Sequence, residues 1–280
     1  MSSHQTSNAR SRFAEVVSRE DGEINLAEAA LLIAAEEYPR LDITVYLEKL
    51  DIIGDIARER ASRAIDVSDT ISALNATLFE QLGFRGNRES YYDPRNSFLN
   101  EVIDRRMGIP ITLTVVYMEV ARRIGLRIEG VGLPGHFIAK HASEGGDIFI
   151  DPFNGGRLIG ERGCAEILSE MSNGKLKLKP DHLAAVTNKQ ILTRILGNLL
   201  GIYSSSDYRR ALAVIERLLI IHPDSPNHVR DRGLLLAATG DASKAIEELQ
   251  RYLALAPNAP DADTVREQIK SIRQTVARLN

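Results

Sequence analysis

The chain has 280 residues, 44% hydrophobic and 26% charged, a globular composition that excludes a collagenous, disordered or membrane-embedded protein. With 35 basic against 38 acidic side chains the net charge is -3, so no global field draws it to nucleic acid or anionic lipid. The single cysteine, Cys164, excludes an internal disulfide and any multi-cysteine zinc or iron–sulfur site, and it fits a reducing, cytoplasmic setting.

The first residues, MSSHQTSNARSR, are polar, lack the ~7–15-residue apolar stretch of a secretory signal, and read as a disordered tail over 1–12. From Phe13 to about Leu82, apolar clusters alternate with charges at three- and four-residue spacing, which predicts three amphipathic helices. Tyr38-Pro39 separates the first two, because the residue before proline is pushed out of helical geometry. The apolar stretch AEAALLIAA contains Glu28 and falls far short of the ~20 residues that span a bilayer. Gly83 to Asn96, rich in glycine and asparagine, reads as an ordered loop.

Pro110 then opens an apolar run that ends at Arg122, Arg123 and Gly125: a helix with proline at its start, cations in its last turn and a glycine stop. Apolar on nearly every side, it predicts a central, buried helix. Three short β-rich runs follow, Arg127 to Val131, His136 to Lys140 and Asp147 to Asp151, with a hairpin turn between the second and third. A fourth strand is expected at Lys175 to Leu178, where charged and apolar residues alternate.

The last ninety residues are helical and repetitive. Ala211, Ile215, Leu218 and Pro223 recur 34 residues later as Ala245, Leu249, Tyr252 and Pro257, and ~34 residues is the period of a tetratricopeptide repeat. Gly233 occupies the small-residue position of the later copy; Leu199 stands there in the earlier one. The final helix, Thr264 to Leu279, has the place of a cap on the open end of the stack.

The chemistry-bearing pattern lies in the hairpin. If a four-residue loop, Ala142 to Gly145, joins the strands, His141 faces Gly146 and His136 lies opposite Asp151. Directly opposed residues have Cβ atoms ~4.5–5.5 Å apart, close enough for a carboxylate to orient an imidazole and stabilise its charged form. The pair reads equally as a buried tie across a hairpin. His141, His182, His222 and His228 form no HExxH or close ligand cluster, so no metal or cofactor is expected. Arg105-Arg106 and Arg122-Arg123 lack an aromatic platform, and nucleic acid is not an expected partner.

The segment NSFLNEVIDRRMGIPITLTVVYMEVARRIGLRIEGVGLPGHFIAKH, followed by DIFIDPFNGG, resembles the transglutaminase-like core of bacterial SirB-type proteins, a core also present in some eukaryotic F-box proteins. The likeness covers roughly Asn25 to Pro180, and such proteins commonly carry tetratricopeptide repeats behind the core. The resemblance implies a papain-like site in which a cysteine at the start of the central helix works with a histidine and an aspartate, and His136 and Asp151 match the latter two. It places the cysteine near Pro110, in a stretch that holds none. Thr112 is the nearest hydroxyl, readable as a helix cap or as a substitute nucleophile. Asn96, Ser97 and Asn100 precede the central helix and are expected to line the cleft or to serve in turns.

The resulting expectation is an α+β, papain-like and transglutaminase-like domain over 13–182, a helical part plus a small antiparallel sheet, then an all-α repeat domain over 185–280. Its expected role is that of a degenerate, regulatory module binding a protein or peptide partner through the repeat groove. The alternative is a residual hydrolase or acyltransferase using His136 and Asp151 with Thr112 or a bound water.

Overall fold

A computed structural model describes residues 2–143 and 145–279. Two compact units divide between Ile195 and Leu196. That point lies beyond the boundary expected near 182–185, because the helix spanning it is pinned at its start to the first unit.

Four helices open the first unit: α1 (Ser2–Val17), α2 (Leu26–Glu37), α3 (Ile43–Ala61) and α4 (Val67–Asn75). The expected disordered tail is therefore corrected: apart from Met1, which lies outside the described residues, it forms most of α1. Ala9 and Phe13 are buried, and Arg10 and Arg12 pair with Glu36 and Glu28 of α2. Asn25, Asp42 and Asp66 accept backbone N–H groups at the starts of α2, α3 and α4, satisfying donors that have no partner within the helix. Tyr38, before the proline, ends α2.

The expected loop carries a two-residue strand, β1 (Arg85–Gly86). After α5 (Leu99–Arg105) it pairs in parallel with β2 (Met107–Gly108). The central helix is α6 (Pro110–Arg123), with Pro110 in its first turn and Tyr117, Val115, Val116 and Val120 buried. It packs against α2, α3 and α5 and against the sheet, the buried position that its all-round apolar surface requires.

The sheet is antiparallel, in the order β3 (Glu129–Val131), β4 (Ile138–His141), β5 (Ile148–Asp151), β6 (Arg157–Ile159). Its register corrects the sequence expectation: His141 pairs with Ile148, not Gly146. The turn is longer, closed by Ser143 and Gly146. A slip of two residues keeps every side chain on its own face. Strand β6 was not foreseen, and the expected strand at Lys175–Leu178 is not formed; those residues are irregular chain after α7 (Glu161–Met171), with Leu178 packed against the core beneath the sheet.

α8 (Asn188–Tyr203) crosses the division. Asp21 accepts the N–H groups of Asn188 (2.9 Å) and Lys189 (3.0 Å) at its start. The second unit continues with α9 (Tyr208–Ile221), α10 (Pro226–Ala238), α11 (Ala242–Leu255) and α12 (Ala262–Leu279). The residues related by 34 positions, Ala211 and Ala245, Ile215 and Leu249, Leu218 and Tyr252, are all buried. Gly233 brings α10 against α11: a Cβ there would stand 2.8 Å from Leu249 Cγ and 3.2 Å from its backbone nitrogen. Among the described residues no helix is long and apolar enough to cross a membrane.

Candidate functional site

Asp151 is the last residue of β5, and its side chain turns back to cap the turn Pro152–Asn154. Its Oδ1 accepts the Asn154 backbone N–H (3.3 Å), and its Oδ2 accepts the Asn154 side-chain amide (2.6 Å). His136 sits two residues before β4, in the turn begun at Leu133, whose carbonyl accepts the His136 N–H (3.1 Å). The imidazole Nε2 lies 3.0 Å from Asp151 Oδ2. Thus the pair meets despite the corrected register, because the turn ahead of β4 holds His136 within reach of Asp151 at the end of β5.

Both residues are buried. Burial alone pushes the Asp151 carboxyl upward, but the hydrogen bond and charge of His136, with the two Asn154 hydrogen bonds, outweigh it and hold the group below the usual carboxylate range. An ionised Asp151 accepts the proton on Nε2, which leaves Nδ1 as the basic nitrogen. Among the described residues Nδ1 has no hydrogen-bond partner.

The pair borders a cleft of about 620 Å³. Tyr91, Tyr92 and Phe153 form an aromatic wall, with Phe153 edge-on to His136 at 6.0 Å between ring centroids and Arg88 over its ring. Ile159, Ile167 and Met171 supply apolar surface, and Arg157, Glu166 and Glu170 supply charge. Pro110 also borders the cleft. Among the described residues lining it there is no cysteine, serine or threonine.

The other candidates lie elsewhere. Thr112 is buried; its hydroxyl donates to the Asn96 carbonyl (2.7 Å) and accepts the Ile109 N–H (3.2 Å), the capping arrangement, and it does not border the cleft. Asn96, Ser97 and Asn100 do not line the cleft either: all three are buried in the packing ahead of α6. The Asn96 amide binds the Ser90 and Tyr91 carbonyls and accepts from Asn87, which corrects the cleft expectation in favour of a turn role. Cys164 is a core residue, packed with Val131, Leu133, Ile138 and Phe149. Burial first, then the charges of Glu161 and Asp151, push its thiol up to about 11, the reverse of a reactive cysteine. The described residues bring together no group of three or more potential metal ligands.

Two families of known proteins match this architecture. The transglutaminase-like superfamily matches residues 44–197, and the tetratricopeptide repeat matches 199–270. The chain belongs to the transglutaminase-like superfamily. A UPF0162 protein of Xylella fastidiosa is 40% identical over 255 residues, covering 88% of this chain and 89% of the relative. Protein SirB1 of Salmonella typhimurium is 26% identical, covering 86% and 91%. Human F-box only protein 21 is 30% identical over 169 residues, 56% of this chain and 26% of that protein. These relatives support a SirB-type transglutaminase-like chain with repeats behind the core. No solved structure matches it.

Around this cleft, several contributors escaped the sequence reading. Asn154 follows Asp151 at the spacing of an Asx-type turn, a signal present in DPFNGG. Tyr91, Phe153 and Arg194 reach the site through contacts far apart in the chain, for which no local pattern exists.

Proposed function

We propose that this chain is a non-catalytic, SirB-type transglutaminase-like protein acting in the cytoplasm as a regulatory interaction module, its repeats receiving a protein or peptide partner. One observation carries the reading: the cleft beside His136 and Asp151 is bordered by Pro110 where the resemblance places a cysteine, and no cysteine, serine or threonine lines it among the described residues. Acyl transfer of the cysteine type needs an attacking thiolate beside the base. Thr112, engaged with Asn96 and Ile109, does not supply a substitute. Tetratricopeptide repeats generally present a stacked helical surface to partner segments, which supports the interaction role.

A second reading keeps one supporting feature: with Nε2 oriented by Asp151, the unpartnered Nδ1 is placed to activate a bound water for hydrolysis. One assay separates the two. The full chain and His136→Ala are incubated with casein and a fluorescent primary amine, and separately with an activated ester. The interaction reading expects no turnover above buffer from either protein; turnover lost in a folded His136→Ala variant would replace it with the hydrolytic one.

A further inference from the structure

Arg194 is the one side chain of α8 that reaches the backbone on which His136 is mounted. Its Nη2 donates to the His136 carbonyl (2.8 Å) and to the Leu133 carbonyl (2.9 Å), both ends of the turn that holds the imidazole. Its guanidinium carbon lies 5.3 Å from the centroid of the Phe137 ring. A Cβ added to Gly132 would come within 3.2 Å of Nη1 and 3.7 Å of the Phe137 ring, so the glycine leaves the space the guanidinium fills. Residues 132–137 are thus wrapped around one cation.

This arrangement is costly as a mere structural tie. Arg194 is half-buried and has no carboxylate partner among the described residues, and a desolvated charge without a counter-charge is destabilising. The guanidinium uses Nη2 for both carbonyls and lies beside an aromatic ring, a pattern suited to its planar, multi-donor head. The support is itself fixed, since Asp21 holds the first turn of α8 through Asn188 and Lys189.

We infer that Arg194 is the positioning residue of the His136–Asp151 site, fixing the 133–136 turn so that Nε2 stays on Asp151 and Nδ1 stays free. The inference rests on the second, hydrolytic reading above, in which the His136 cleft is the functional site, but it is tested on the imidazole itself.

The full chain is labelled with 15N-histidine; with six histidines in the sequence, His136 is identified by its loss in His136→Gln. Long-range 15N–1H spectra are recorded at about pH 8.5, well above the ordinary imidazole value of ~6.5, alongside the rate of His136 carbethoxylation by diethyl pyrocarbonate. The wild type is expected to show a single tautomer protonated on Nε2 and slow modification. Arg194→Gln, folded by circular dichroism, is expected to show averaged tautomers and several-fold faster modification, with Arg194→Lys recovering part of the wild-type pattern. A folded Arg194→Gln that keeps the wild-type tautomer and rate, whatever its loss of thermal stability, overturns the inference and leaves the functional reading standing. Should Arg194→Gln not fold, Gly132→Ala, whose added methyl crowds Nη1, is read by the same criteria.

Discussion

Asp151→Asn preserves the shape of the buried carboxyl and removes its charge, so it isolates what the charge contributes. Asp151 Oδ2 accepts from His136 and from the Asn154 side chain, while Oδ1 accepts the Asn154 backbone N–H. An amide has one acceptor oxygen. Placing that oxygen at Oδ2 keeps the two shorter bonds and sets its NH2 against the Asn154 N–H; the flipped amide sets its NH2 against the Asn154 side-chain amide and holds His136 only by donating to Nε2 of the other tautomer. The first arrangement sacrifices one hydrogen bond and weakens two from charge-assisted to neutral, about 1 kcal/mol each, so about 2–3 kcal/mol in all.

The pH dependence follows from the depressed carboxyl of Asp151. In the unfolded chain the group titrates near its ordinary value of ~3.9. The native pKa lies lower, so its contribution is complete above the unfolded value and is lost as pH falls through the native one. Asparagine does not titrate. The stability gap between wild type and variant, measured by urea unfolding, is therefore expected to be present above about pH 5 and to close as pH falls below about 4. Equal stability at neutral pH, or a gap that persists unchanged into strong acid, would refute this account of the pair.

Gly233→Ala sets a helix-propensity gain of ~1 kcal/mol against overpacking of ~1–3 kcal/mol. The clash falls on Leu249 Cγ and a backbone nitrogen rather than on a flexible side-chain end, so urea unfolding should show a less stable repeat unit; an increase would show that α10 and α11 can separate at no cost. Tyr117→Phe removes a buried hydroxyl that has no partner among the described residues and whose burial pushes the phenol far above its ordinary range. Its thermal stability should equal or exceed the wild type by up to ~1 kcal/mol, and a loss of that size would reveal a partner for the hydroxyl.

Local chemistry made much of this fold legible. Pro110 at the start and Arg122, Arg123 and Gly125 at the end bound α6 for local reasons, whereas the caps Asn25, Asp42 and Asp66, equally local, went unread. The repeats were visible because Ala211 and Ala245 must fill equivalent contacts. His136 and Asp151 were paired from the hairpin pattern, but their contact is made from the turn ahead of β4 rather than through the expected register. What stayed hidden depends on contacts distant in sequence. The polar start of α1 folds against α2 through Arg10 and Glu36, whereas Lys175–Leu178 alternates like a strand but only packs Leu178 into the core without forming one. Thr112 points to Asn96 because of a carbonyl 16 residues earlier, and no pattern within α6 announces that.

The placement of Cys164 has an experimental consequence. A lone thiol with no exposure, packed under β6 and raised to about 11, is inert until that layer opens. Cysteine reagents therefore label the native chain only through breathing of the β6–α7 layer, and the labelling rate measures how often it opens. Because α7 also contributes Glu166, Ile167 and Glu170 to the cleft wall, the same chemical clock follows the mobility of the surface against which any occupant of the cleft must settle, without introducing a foreign probe.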